Sequence, residues 1–375
     1  MLIHYSDGTS ACHYKKCPHT NGVACLGFPI DPKQAVDPND KAGSLGVEAE
    51  RFFSGQTPLS YTIHFENLET ATAPAATVMV TDALDVQHLD LDSLSLGPIS
   101  FGDFALLPAP GQSEYSGGVD LRPEQNIVVT VSAKLDKQTG VLTWRFDSID
   151  QETGQSTEDP AAGFLPPNVN PPAGEGGVAF TVQPRADLPT GTEIPNRASI
   201  VFDTNPPLDT AQWINTIDQD SPESHVLPLP ARSKSGDFSI DWTGADDGAG
   251  ILDYTIYVSQ DRGPFTAWLT DMTDTSATFT GQTGRRYDFF SVARDRVGHT
   301  EAAPAVADTR TVVITCVGDC HGDGEVSVDE LIRMVRIALG DGDAGTCPSG
   351  DANLDGTITI DEIVTAVDGA LSDCR

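Results

Sequence analysis

Leu59-Ser60-Tyr61-Thr62-Ile63-His64-Phe65-Glu66-Asn67 opens with seven residues in which apolar and polar side chains alternate. Successive side chains of an extended chain point to opposite faces, so the run predicts a β-strand with one buried face and His64 on the wet side. A strand with one dry face needs a sheet, and that sheet needs a second layer to cover it. Thr77-Val78-Met79-Val80-Thr81, Asn126-Ile127-Val128-Val129-Thr130-Val131, Leu142-Thr143-Trp144-Arg145-Phe146 and Ala179-Phe180-Thr181-Val182 read the same way, separated by Gly, Pro and Asp turns. The expected product is an antiparallel β-sandwich over residues 36–220, with long excursions such as 150–177. The whole chain's 26 prolines and 35 glycines fit many short strands better than long helices.

A second, smaller sandwich is predicted over residues 221–314 from Phe238-Ser239-Ile240-Asp241-Trp242, Tyr254-Thr255-Ile256-Tyr257-Val258, Phe265-Thr266-Ala267-Trp268, Ala277-Thr278-Phe279 and Tyr287-Asp288-Phe289-Phe290-Ser291-Val292-Ala293. An early Trp, a Tyr-rich strand and a late Tyr followed by alternating residues resemble a fibronectin type III domain. That resemblance implies a core role for Trp242 and Tyr287, the latter as a tyrosine corner. An aromatic sugar platform is the functional alternative, with Trp268 the aromatic to test. In the first sandwich, Asp37-Pro38-Asn39-Asp40-Lys41, Pro58 to Asn67, Val80-Thr81-Asp82-Ala83-Leu84-Asp85 and Asn196-Arg197-Ala198-Ser199-Ile200-Val201-Phe202-Asp203 resemble an immunoglobulin-like repeat of large bacterial surface proteins. The resemblance implies a spacer or adhesive role. Asp37, Asn39 and Asp40 with Asp203 and Asn205 could form a calcium site, or serve as turn residues.

Near the C-terminus, Asp319-Cys320-His321-Gly322-Asp323-Gly324-Glu325-Val326-Ser327-Val328-Asp329-Glu330 and Asp351-Ala352-Asn353-Leu354-Asp355-Gly356-Thr357-Ile358-Thr359-Ile360-Asp361-Glu362 have the pattern of twelve-residue calcium loops. Oxygen ligands are expected at positions one, three, five, seven, nine and twelve, with glycine at six. The second loop supplies Asp351, Asn353, Asp355, the Thr357 carbonyl, Thr359 and Glu362. The first supplies Asp319, Asp323, the Glu325 carbonyl, Ser327 and Glu330, with His321 where an oxygen belongs. Calcium prefers hard oxygen donors to imidazole nitrogen, so the first loop is expected to be weaker. An acidic turn without metal is the plain alternative for both.

Val328, Leu331, Ile332, Val335 and Leu339 recur thirty-two residues later as Ile360, Ile363, Val364, Val367 and Leu371. Spacings of three, four and seven predict two helices with the stripe buried, and Gly340 is a natural end for the first. The duplicated loop-helix plan over 315–375 resembles a dockerin-like module, which implies Ca2+ binding and docking onto a cohesin-like partner. It departs from the usual pattern in Glu at position twelve, in His321 and in its cysteines.

The expected whole is mainly β: two immunoglobulin-like β-sandwiches in tandem, followed by the small helical calcium-binding module. Residues 1–35 form a Cys/His-containing segment. With 55 acidic against 22 basic residues and a net charge of −33, nucleic acid and anionic membranes are unsuitable partners, whereas cations suit. No run is long and apolar enough to span a membrane. The seven cysteines form two clusters. Among Cys316, Cys320, Cys347 and Cys374 three pairings are open; Cys316 with Cys374 would clasp the module's ends, leaving Cys320 with Cys347. Cys12, His13, Cys17, His19 and Cys25 could hold zinc, or include a cysteine whose partner lies upstream in a longer secreted chain. No hydrolase elbow, zinc-protease helix, phosphate loop or dinucleotide fingerprint is present. The sequence therefore points to a non-catalytic extracellular or cell-surface protein meeting a protein or polysaccharide ligand. The alternatives are a dockerin-type assembly module and an accessory part of a carbohydrate-active enzyme.

Overall fold

The computed structural model describes residues 39–372 apart from 158, 160, 234 and 315, together with the backbone of the short strands Leu2–His4 and Ser10–Cys12. His13, Cys17, His19 and Cys25 of the zinc reading, and Asp37, lie outside the described residues. The chain divides into two compact units. One runs through Gly43 and continues with Leu59–Gln183 and Pro195–Trp213; the other takes Ser44–Pro58, Pro184–Ile194 and everything from Ile214 onward.

In the first unit, the opening run of the sequence is the strand Leu59–Glu66. Leu59, Tyr61, Ile63 and Phe65 are buried and His64 is exposed, as the alternation requires. The strand belongs to a five-stranded sheet in the order Asp40–Ala42, Leu59–Glu66, Glu175–Pro184, Leu89–Phe101, Phe104–Leu106. A six-stranded sheet, ordered Leu208–Asp209, Ala198–Phe202, Thr77–Ala83, Val141–Asp150, Ile127–Asp136, Glu114–Asp120, supplies the second layer. The layers meet through rings: Phe146 lies 5.5 Å from Phe65, 6.1 Å from Phe101 and 5.7 Å from Phe164, centroid to centroid. Edge-on and offset ring contacts of this kind add to the area each ring buries.

The turn at Asp203 has φ of 49°, and its Oδ1 accepts the N–H groups of Ala76 and Thr77 at 2.9 and 2.8 Å. Turn chemistry accounts for that residue. Asn39 and Asn205 do line one recess of about 350 Å³, together with Glu66.

The second unit contains an eight-stranded sandwich. Glu223–Val226, Asp237–Ala245 and Ser276–Thr280 form one sheet; Arg232–Ser233, Thr309–Val313, Arg285–Asp295, Ile251–Gln260 and Thr266–Met272 form the other. Trp242 and Tyr287 are buried in its core with Ile256, Phe279 and Phe289. The Tyr287 hydroxyl accepts the Gln282 N–H at 2.9 Å, which ties the strand's entry to the preceding turn. Tyr287→Phe leaves that N–H without its acceptor and is expected to cost about 1 kcal/mol, read as a lower urea midpoint at constant slope. The Trp268 ring lies edge-on 5.1 Å from Phe279 and 6.2 Å from Phe289. It is a core-packing ring, and the sugar-platform alternative loses its best residue.

Candidate metal centre

Both C-terminal loops turn left-handed at the same two positions. The fourth positions, Gly322 and Leu354, have φ of 75° and 61°, and the sixth, Gly324 and Gly356, both have φ of 88°. Only glycine enters that left-handed region freely, which explains Gly at six; Leu354 pays a local strain for doing so. At position one, Asp319 is buried and its carboxylate accepts N–H groups from Gly322 at 2.7 Å, Asp323 at 3.1 Å and Gly324 at 2.8 Å. Asp351 accepts from Asp355 at 3.1 Å and from Gly356 at 2.8 Å.

Position twelve closes each loop from the other side. Glu362 Oε1 accepts the N–H groups of Ala352 and Asn353 at 2.7 and 3.2 Å, while Oε2 accepts the Thr359 N–H at 2.8 Å and its hydroxyl at 3.1 Å. Glu330 repeats this with the His321 N–H at 3.0 Å and with the Ser327 N–H and hydroxyl, each at 2.8 Å. Ser327 and Thr359 are also the residues before helices α1 (Val328–Ala338) and α2 (Ile360–Leu371). Positions nine and twelve of each loop thus double as the cap and third residue of the following helix, so loop and helix cannot be set independently.

The loops part at position three. Asn353 Oδ1 accepts the Asp355 N–H at 2.9 Å, and its Nδ2 donates to Asp355 Oδ2 at 3.0 Å, so the residue stays within the oxygen-lined loop. His321 instead places Nδ1 2.9 Å from Glu330 Oε1, and Arg333 approaches its Nε2 at 3.2 Å. The electrostatics diverge accordingly. Burial pushes the Asp351 carboxyl up; the Gly356 N–H opposes this, and the nearby Glu362 and Asp355 carboxylates add to the rise. For Glu330 burial acts upward too, but the Ser327 bonds and His321 outweigh it and hold the carboxyl low. The second loop is a crowd of carboxylates and neutral oxygens that a hard cation would relieve, and its donors fit calcium. The first loop fits poorly, because an imidazole already occupies its twelfth-position carboxylate.

Cys320 is bonded to Cys347, with Cα atoms 4.5 Å apart. Cys316 is disulfide-bonded as well, and Cys374, its expected partner, lies outside the described residues. Helix α1 ends at Gly340, whose φ is 86°: its N–H reaches the Ile337 carbonyl and the Asp341 N–H reaches that of Arg336, both at 2.9 Å. This is the double bond pattern of a Schellman cap.

The helix faces correct the sequence reading. Val328, Ile332, Val335 and Leu339 are 73, 56, 40 and 75 % exposed, and Ile360, Val364, Val367 and Leu371 are 75, 62, 39 and 82 % exposed. The module's core is instead Met334, Ile337, Ile358 and Ala366, with Val326, Leu331 and Ile363 packed against it. The twelfth-position glutamate decides the rotation. Glu330 must face its loop, residues four and seven further on share its face, and these are Met334 and Ile337. The other apolar stripe is thereby turned outward in both copies.

One group carries no motif signal: Asp218, Asp295 and His299 bring ligand atoms within 4.8 Å of one another. Asp295 Oδ1 accepts the N–H groups of Val297, Gly298 and His299, and Oδ2 lies 2.9 Å from His299 Nδ1. Asp218 Oδ2 accepts the Ala249 N–H at 2.7 Å. Loop bracing accounts for these contacts.

A family model described as a domain of unknown function (DUF7619) matches residues 37–102 and 125–216, in the first sandwich. No curated protein matches the chain. Among solved structures, the collagen-binding domain of a Staphylococcus aureus adhesin is similar at 11 % identity and a TM-score of 0.26, over 49 % of this chain and 99 % of that one. Fibronectin(III)-like modules of Clostridium thermocellum CbhA are similar at 10 % identity and a TM-score of 0.24, over 73 % of this chain and 94 % of theirs. BcpA, the major pilin subunit of Bacillus cereus, is similar at 11 % identity and a TM-score of 0.26, over 84 % of this chain and 76 % of its own. Among the described residues, no helix is long and apolar enough to cross a membrane.

Proposed function

We propose that this chain is a non-catalytic extracellular or cell-surface protein whose C-terminal module, residues 315–375, is organised by calcium. The carrying observation is the second loop, where Asp351, Asp355 and Glu362 converge with Asn353 and the Thr357–Thr359 segment, each carboxylate oriented by hydrogen bonds within the loop. Bound calcium would neutralise that gathering and lock the start of α2. The stapling cysteines and the acidic surface suit an oxidising, cation-rich exterior. Titrating the intact chain with calcium in a calorimeter tests the reading: one strong site is expected, with a weaker one at the first loop. Heats indistinguishable from dilution would refute it.

A second reading, calcium-dependent docking onto a cohesin-like protein, is favoured by the exposed stripes. Two apolar faces at equivalent positions, each beginning directly after a loop, amount to a duplicated contact surface of the kind seldom left open without a partner. The double substitution Val328→Asp and Ile360→Asp should leave the melting temperature almost unchanged, because both side chains are exposed, and should abolish calcium-dependent binding to purified cohesin domains. A panel that never binds in calcium, or a double variant that binds equally, removes the docking reading and leaves the calcium reading intact.

A further inference from the structure

Inside the first sandwich lies a polar group that neither reading uses. Lys41 projects from the five-stranded sheet and Asp82 from the six-stranded one; they are in direct contact, and both side chains are fully buried. Ala198 pairs directly with Asp82 across the ladder, so Asn196, two residues earlier, sits diagonally beside it on the same inward face. Asn196 is 3 % exposed, and its carboxamide neighbours both Asp82 and the Tyr61 hydroxyl without either amide atom completing a hydrogen bond of ordinary geometry. The Lys41 amine lies 4.8 Å from the Tyr61 ring centroid and 5.5 Å from that of Phe180. An amine, an acid and an amide are thus sealed together under aromatic rings.

As a simple ion pair this arrangement is costly. Two charges would leave water for little gain over apolar residues, and a carboxamide would stay unsatisfied. As a reacting set it is well composed. Burial lowers Lys41 to about 8 against the opposing pull of Asp82, so a nucleophilic neutral amine is accessible near neutral pH. Burial likewise raises Asp82, with Lys41 opposing, which suits it to holding and releasing a proton.

We propose that Lys41 and Asn196 become joined by an intramolecular amide bond, formed with Asp82 as proton carrier. The Lys41 Nζ lone pair attacks Asn196 Cγ while the Asp82 carboxyl protonates the carboxamide oxygen. Asp82 then takes a proton from Nζ and delivers one to Nδ2; the Cγ–Nδ2 bond breaks, ammonia leaves, and the oxygen returns its proton to Asp82 as the C=O re-forms. Asp82 ends as it began, and no oxidant or co-reactant is consumed. The product clamps the strand Asp40–Ala42 to the segment entering Ala198–Phe202, bridging the two sheets covalently.

Mass spectrometry of the folded chain, after full reduction and denaturation, tests this directly. The expected mass is about 17 Da below that of the sequence, with a branched peptide carrying Lys41 and Asn196 after proteolysis. Asn196→Ala and Asp82→Ala should each return the full sequence mass. The wild-type measurement stands even if either variant fails to fold. A wild-type mass equal to the sequence overturns the proposal, and so does a loss of about 18 Da with Lys41 linked to Asp82.

Discussion

Glu362→Gln is expected to weaken calcium binding at the second loop by roughly ten- to a hundredfold, while Ser327→Ala in the first loop should change the titration little. Glu362 is asked for three things at once. It would offer two oxygens to a cation, and it accepts four hydrogen bonds from Ala352, Asn353 and Thr359 and forms the third residue of α2. An amide keeps the shape but removes the charge, and its nitrogen cannot accept the bonds that one oxygen held. At free calcium about a hundredfold above Kd, binding adds about 2.7 kcal/mol to the folded state. Wild type should therefore lose its highest-calcium melting transition on adding chelator, whereas Glu362→Gln should begin near the chelated value. A wild-type transition for the module that is indifferent to excess chelator would contradict calcium's structural role.

Phe146→Ala should destabilise the first sandwich by about 3–5 kcal/mol, the cost of removing a buried aromatic ring from a packed core. Phe146 is 0 % exposed and packs against Phe65 and Phe101 of the facing sheet and against Phe164 of the connecting segment, stacked at 5.7 Å. Its removal opens a cavity whose walls belong to two sheets and cannot close without moving one of them. For a unit of this size the loss corresponds to a melting transition lower by roughly 6–20 °C. The transition to follow is one that chelator does not move. A shift below about 1 kcal/mol would mean that the layers repack around the gap.

The Lys41, Asp82 and Asn196 set shows where reading by residue runs out. Each lies in a segment that reads as an ordinary strand or strand entry, separated by 41 residues between the first two. Nothing local distinguishes a buried lysine from the solvated lysine that is the usual case. Only pairing of Ala198 with Asp82, and closure of the second sheet over them, brings amine, acid and amide into one dry space. Asp218, Asp295 and His299 likewise meet only through folding.

Local periodicity was enough for the class of fold. Alternation along Leu59–Glu66 and Val141–Asp150 requires paired sheets, because the strand period places every second side chain on one face whatever the rest of the chain does. The two loops, their turn glycines and the Gly340 helix end were equally legible, since each depends on φ preferences and hydrogen bonds spanning a few residues. The helix faces were not. Each of α1 and α2 carries two apolar stripes, and a helix's own pattern cannot say which one meets the core. That choice was made by a distant geometric demand: Glu330 and Glu362 must reach back into their loops, which turns Met334, Ile337 and Ala366 inward and leaves Val328 and Ile360 facing solvent.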